Sequence, residues 1–335
     1  SDVLGKHALG DIECHDNIHA LSFHHLHLHP EPRPCQRDDQ QDQGAAELVG
    51  VEALTVLLGR DQRVGDEPIE LATVLRRHPG VGVEVAEISR RCAEMLDQLL
   101  QGRFSELLNN PAYHLNVVVV GCLGLLRHDT RSRLGLGLGG VIGANLLGRR
   151  HLKRYFERII LHDPRDLPPL AELRDFPSRH VALRADNLRP ALLASGSIPM
   201  VMEGVRDIPG CEPGVYRDGG LLDYHLDLPY QAPGVVLYPH FVDRVVPGWF
   251  DKTLPWRQGD REQLKDVLLL APSKEYLSAL PYGKLPDRKD FTRFMGDDAA
   301  RETYWRKAMD ASRRMGDEFL ELTDSGRLSD RLRPL

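Results

Sequence analysis

The chain has 335 residues, 41% of them hydrophobic and 27% charged, with a formal net charge of −6 at pH 7. That length holds one large domain or two medium ones around a well-buried core. The negative balance excludes a nucleic-acid-binding role carried by overall charge.

The opening residues hold Asp2, Lys6, Asp11 and Glu13 with no apolar run between them, so no secretory signal is expected. Residues 1–29 carry seven histidines, ending in His24-His25-Leu26-His27-Leu28-His29, and Pro-Glu-Pro-Arg-Pro follows at 30–34. The tract from Arg37 to Gln43 has no apolar member. Such composition cannot offset chain entropy by burial, so residues 1–44 are predicted to be disordered. On an extended strand His25, His27 and His29 would share one face, as metal ligands do. Without an ordered scaffold that pattern gives adventitious nickel or zinc affinity, and neither a resident metal nor a cofactor is expected. Residues 66–77 read as a helix opening at Asp66, and Val81-Gly82-Val83-Glu84-Val85 alternates like a short strand weakened by its glycine. Of 9 Phe, 9 Tyr and 3 Trp, only Phe23 precedes residue 104, so the front third has little with which to build a core. Residues 1–86 are therefore taken as an atypical, partly disordered segment, and 87–335 as the structured domain.

From residue 87 the pattern becomes that of an α/β protein. Ile88 to Leu108 has helical spacing, and Leu115 to Leu126 is a nearly continuous apolar run with four consecutive valines, as in a buried central strand. Residues 131–156 read as helical and Glu157 to His162 as a strand. A helix over 186–194 opens at Asp186 as N-cap. Strand-like runs follow at 214–217, 234–238 and 266–270. A charged amphipathic helix over 298–322 closes the pattern, with Tyr304, Trp305, Ala308, Met315 and Phe319 for its inner side. Alternating strands and helices favour a sheet covered by helices on both faces.

Two passages carry chemistry: Ala191-Leu-Leu-Ala-Ser195-Gly196-Ser197-Ile198-Pro199, then Val215-Tyr216-Arg217-Asp218-Gly219-Gly220-Leu221-Leu222-Asp223. A helix ends in small residues and a proline, and a short strand then delivers an acid into a Gly-Gly turn. Glycines there permit unusual backbone angles and close approach, so Asp218 would be fixed by backbone rather than by a long side chain. On turn chemistry alone the passage also reads as a type I′ or II′ hairpin.

Together, Ser-x-x-Ile-Pro and Tyr-x-Asp-Gly-Gly-Leu-x-Asp resemble the second catalytic motif of the patatin-like phospholipases. The likeness spans residues 87–335, is sharpest between 186 and 230, and points to a bacterial branch. It implies a patatin-like three-layer α/β/α sandwich, incomplete on its N-terminal side. It also implies hydrolysis of acyl esters, in lipid degradation, by a Ser-Asp dyad without cofactor or metal. Asp218 would be the general base, and Gly219 and Gly220 would shape its turn. A serine is a poor nucleophile until a base takes its proton, and a strained elbow with backbone N–H groups stabilises the oxyanion.

The chain departs from the family in one respect: it contains no Gly-x-Ser-x-Gly. Before residue 100 its serines are Ser1, Ser22 and Ser89, none flanked by glycine. We read the front half of the domain as replaced or lost, through a shifted reading frame, a wrong start or a real rearrangement. The nucleophile is then unknown. Either an unrecognised serine approaches Asp218, or the chain is a catalytically inactive remnant or binding module. Ser195 and Ser197 are the serines nearest Asp218 in sequence, and Pro199 argues for structural roles near the helix end. Asp223, His225 and Asp227 alternate, so a strand would aim all three one way, to support the site, bind a cation or line a hydrogen-bonded edge.

Gly135-Leu-Gly137-Leu-Gly139-Gly140 contains a literal G-x-G-x-x-G, but no strand precedes it directly, and close helix packing explains it better than a dinucleotide. The run Leu134–Gly148 is 15 residues with six glycines, too short and loose to span a bilayer. Five scattered cysteines (Cys14, Cys35, Cys92, Cys122, Cys211) with no C-x-x-C argue against a disulfide framework and suit a reducing compartment. A soluble, cytoplasmic protein is expected. The resemblance adds a lipid or acyl-ester substrate and peripheral membrane contact, although no basic lipid-binding helix stands out.

Overall fold

In the computed structural model, the described residues are 46–48, 85–111, 113–230, 234–287 and 289–335. The helix predicted for 66–77, the disorder predicted for 1–44 and the histidine cluster lie outside them, as does all of the 81–85 strand except Val85, which opens a helix. The described chain forms two units, one drawn from Arg37–Gln231 and Val245–Leu264, the other from Ala232–Arg244 and Lys265–Leu335.

In the first unit the elements run β1 (Ala46–Leu48), α1 (Val85–Leu100), α2 (Phe104–Leu108), β2 (His114–Cys122), α3 (Arg131–Leu147), β3 (Phe156–His162), β4 (Ser178–Ala182), α4 (Ala185–Ser195), β5 (Val205–Arg206) and β6 (Val215–Asp218). The valine run Val117–Val120 makes β2 the centre of the sheet because branched side chains fill both of its faces. The order is β4-β3-β2-β6-β5, with β1 also beside β2. β3 and β6 run antiparallel to β2, while β1 runs parallel to it and β4 parallel to β3, so the sheet is mixed. Asp218 pairs with Val119 at the end of β6, which lies between β2 and β5, and the loop 207–214 that joins β5 to β6 is at the other end of the strand.

The side-chain period of two divides β2 between two cores. Val117 and Val119 join Ile159, Leu161 and Tyr216 under α1 and α4, through Leu96, Leu100, Leu188 and Leu192. On the opposite face Val120 and Cys122 join Phe156 and Val215 under Leu134 and Val141 of α3. The protein is thus a mixed α/β structure with helices on both faces of its sheet.

Four element boundaries differ from expectation. The strand read over 115–126 ends at Cys122, and a 3₁₀ segment, Gly124–Arg127, takes up the rest of that apolar run. The helical pattern of 88–108 is two helices parted by a turn at 101–103. The helix expected over 131–156 stops at Leu147, because Gly148 takes φ 146°, which an L side chain resists; a 3₁₀ segment, Arg149–Arg154, follows before β3. Asp186 is not the N-cap of α4. Arg184 holds that place, its N–H donating to Asn187 Oδ1 at 2.8 Å, while Asp186 pairs with the Arg184 guanidinium at 3.1 Å. Asn187 is fully buried and also donates to the carbonyls of Ala182 and Pro209.

In the second unit β7 (Val236–Pro239) runs parallel to β8 (Val267–Leu270), followed by α5 (Lys274–Ala279), α6 (Lys289–Arg293) and α7 (Asp298–Asp324). Asp297 caps α7 by accepting from Ala300 N at 3.0 Å. Tyr304 and Ala308 are buried on its inner side, Trp305 donates to the buried Asp290, and Met315 and Phe319 are half-buried.

Candidate active site around Asp218

β6 carries Val215, Tyr216 and Arg217 into the interior, and its last residue meets the Gly-Gly turn. The turn is a 3₁₀ segment, Gly219–Leu221, capped by Asp218 itself. Neither glycine adopts a positive φ. Of the two uses expected of these glycines, unusual backbone angles are not taken up and close approach is. A Cβ on Gly219 would lie 2.5 Å from the carbonyl oxygen of Val118, so only glycine lets the turn press against β2. Gly220 N–H donates to Asp218 Oδ1 at 2.8 Å, and the Asp218 N–H donates to the Ser197 carbonyl at 3.3 Å. Backbone holds the acid on both sides.

Burial pushes the Asp218 carboxyl up to about 6, against opposing pulls from the Gly220 N–H and from Lys252. Lys252 sits over the ring of Tyr224 with its ammonium 3.9 Å from the ring centroid, and 5.7 Å from that of Trp249. Tyr224 in turn lies close to Gly220. A half-buried acid with a cation and two aromatic rings nearby forms the electrostatic centre of the site.

A network of charges braces this turn from below. Arg158, fully buried on β3, donates from Nε and Nη2 to the Asp223 carboxylate, both at 2.7 Å, and to Asp175 at 2.9 Å. Burial alone would lower the Arg158 guanidinium, but Asp223 and then Asp175 more than reverse it. Arg149 donates to the Leu222 carbonyl at 3.1 Å and to Asp251 at 3.1 Å. Asn145 of α3 donates to the other oxygen of Asp251 at 2.7 Å. Both guanidinium groups lie over the ring of Phe176. The segment after Asp218 and the turn carrying Lys252 are thereby tied to one scaffold.

The residues around this acid divide by what they touch. Asp223, His225 and Asp227 do not alternate on a strand and do not converge. Asp223 binds Arg158, His225 Nδ1 accepts from Val246 N–H at 2.8 Å, and Asp227 accepts from Asp260 N–H at 2.9 Å. Their polar spacing reflects three separate partners rather than one face, so no shared cation site forms. Ser195 and Ser197 turn their hydroxyls back to the carbonyls of Leu192 and Leu193, at 2.9 and 2.7 Å. Ser89 donates to Val85 O and accepts from Glu203 N. Among the described residues only the Gly220 N–H bonds the Asp218 carboxylate, and no serine hydroxyl reaches it.

Sequence reasoning missed Lys252, Tyr224, Arg149, Arg158, Asn145 and Asp251. Only Arg158 had a local signal: it stands between Phe156 and Ile160 at strand spacing, a charge on a face that is otherwise apolar. Compared with known proteins, the chain matches no family model, no curated protein and no solved structure.

Proposed function

We propose that the chain carries the base half of a patatin-like acyl-ester hydrolase site, with Asp218 as general base for lipid or other acyl-ester substrates. The observation that supports this is the state of Asp218: backbone-fixed at the end of an internal strand, half-buried, and with a carboxyl at about 6. A carboxylate titrating there accepts a hydroxyl proton far better than an exposed one, since base catalysis is most effective when the pKa lies near working pH. The helices on both faces of the mixed sheet accord with a patatin-like sandwich. In this reading a serine outside the described residues attacks the ester carbonyl while Asp218 takes its proton; the C–O bond breaks and Asp218 returns that proton to the departing alcohol. Water, deprotonated by Asp218 in turn, then attacks the acyl-serine, releasing the acid and restoring the serine hydroxyl.

A second reading has its own observation, the absence of a described serine hydroxyl at Asp218. On that reading the fold is an inactive remnant that binds acyl groups. A fluorophosphonate probe with mass-spectrometric mapping separates the two. The hydrolase reading expects one labelled serine whose labelling falls by at least tenfold in Asp218→Asn. Failure of the intact chain to label, or labelling indifferent to Asp218→Asn, assigns the remnant.

A further inference from the structure

A helix that is apolar on every side belongs in a core or against lipid, whereas a surface helix shows water a polar face. α3 breaks that pattern. Its inner side, Leu134, Gly137, Val141 and Asn145, is buried. Its outer side carries Leu136, Ile142, Leu146 and Leu147, exposed by 71%, 50%, 58% and 80%. No charged residue occurs between Arg133 and Arg149, and Gly139 and Gly143 add a smooth exposed surface between the large side chains. The ends are cationic. Arg131 and Arg133 are exposed at the start, and Arg150, Lys153 and Arg154 are exposed just past the end. Among the described residues none of these five is paired with an acid, and the neighbouring Asp129 is engaged by Arg206 and Arg217.

From this juxtaposition we propose that α3 is a docking face for an anionic lipid surface, lying in the plane of the membrane with its leucines in the acyl region and its terminal cations on headgroup phosphates. The geometry supplies both requirements of interfacial binding, apolar area and matching charge, on one rod roughly 25 Å long. Among the described residues no helix is long and apolar enough to cross a membrane, so α3 lies on the bilayer. A second copy of the chain is a poorer occupant. Both ends of the stripe are basic, so a paired α3 in either direction sets cation against cation. The inference does not depend on the role given to Asp218. The two are nevertheless linked, since Asn145 on the buried side of α3 anchors Asp251, which is adjacent to Lys252.

The test is cosedimentation of the full chain with vesicles of phosphatidylcholine alone and of phosphatidylcholine mixed with phosphatidylglycerol, at low and high salt. The intact protein should pellet with the mixed vesicles, weaken with salt, and bind phosphatidylcholine at least roughly tenfold less tightly. Ile142→Glu with Leu146→Glu should abolish pelleting, and Arg150→Glu with Lys153→Glu should cost on the order of tenfold or more on the mixed vesicles only. Near-UV circular dichroism identifies a variant that has lost its fold, and Leu147→Glu, at the most exposed position, then replaces it. The proposal is overturned if the intact protein ignores anionic vesicles, or if a folded Ile142→Glu/Leu146→Glu protein binds them as well as the parent. An intact protein that sediments as a dimer dissolved by the same pair also overturns it, by giving the face to a second copy.

Discussion

At Asp218 the same burial that suits a base opposes stability. The carboxyl titrates near 6 in the folded chain and near 3.9 when unfolded. Below the unfolded value both states are protonated and the group contributes nothing. As pH rises from there to about 6, the unfolded chain loses its proton first, so stability falls and stays lowered above 6. At about 1.4 kcal/mol per pKa unit the penalty is on the order of 2–3 kcal/mol. Asp218→Asn should therefore be more stable than the parent at pH 8 by that order, with the two converging below pH 4. Urea titrations at both pH values check this, and a less stable Asn variant at pH 8 refutes the sign. Asp218 and its glycines were legible because the acid and the turn that holds it are adjacent in sequence. Lys252, Arg149 and Asp251 were not, because they lie in short 3₁₀ segments or just after one, and the groups they act on, such as Leu222 and Asp251 for Arg149, are far away along the chain.

Between elements, the buried contact of Arg158 with Asp223 joins β3 to the turn after β6. Replacing one partner leaves the other charge desolvated, so Arg158→Leu is expected to destabilise by about 3–5 kcal/mol. The measurement is a denaturant midpoint, and a loss below about 1 kcal/mol would show that the pair is dispensable. Glycine substitutions should divide by contact. Gly219→Ala forces the turn off the Val118 carbonyl and should cost roughly 1–3 kcal/mol. Gly139→Ala and Gly143→Ala meet nothing within 4 Å and should each stabilise α3 by roughly 0.5–1 kcal/mol. Thermal melts of the three variants test that opposition of signs. The centre of the sheet was readable because four β-branched residues in a row suit only a doubly buried strand. The end of α3 was not, because Gly148 closes a segment already rich in glycine and only its backbone angle sets it apart. The strand expected through Asp223, His225 and Asp227 failed because polar alternation also arises when neighbours bind unrelated groups.

Across the whole molecule, the shift in composition near residue 87 was visible in the distribution of aromatic residues. The division at 231, 245 and 265 was not read, although Pro229, Pro233 and Gly234 lie around the first boundary and the charged run 257–266 leads into the last, because short proline and charged stretches also serve as surface loops within one unit. Net charge says nothing of how charge is distributed. A chain with a formal balance of −6 still gathers exposed cations at both ends of α3 that, among the described residues, pair with no acid, and only placement in space separates that band from the acids elsewhere.

The order in which the two units share the chain constrains any attempt to isolate them. Residues 245–264 return to the first unit after the strand segment 236–239 has been given to the second. A stop codon after residue 231 would strip away Val246, which His225 needs, and Asp251, to which Asn145 and Arg149 are bonded, together with Lys252. A minimal fragment bearing the acid must instead be spliced, carrying 245–264 on a synthetic bridge in place of the thirteen or so residues it omits.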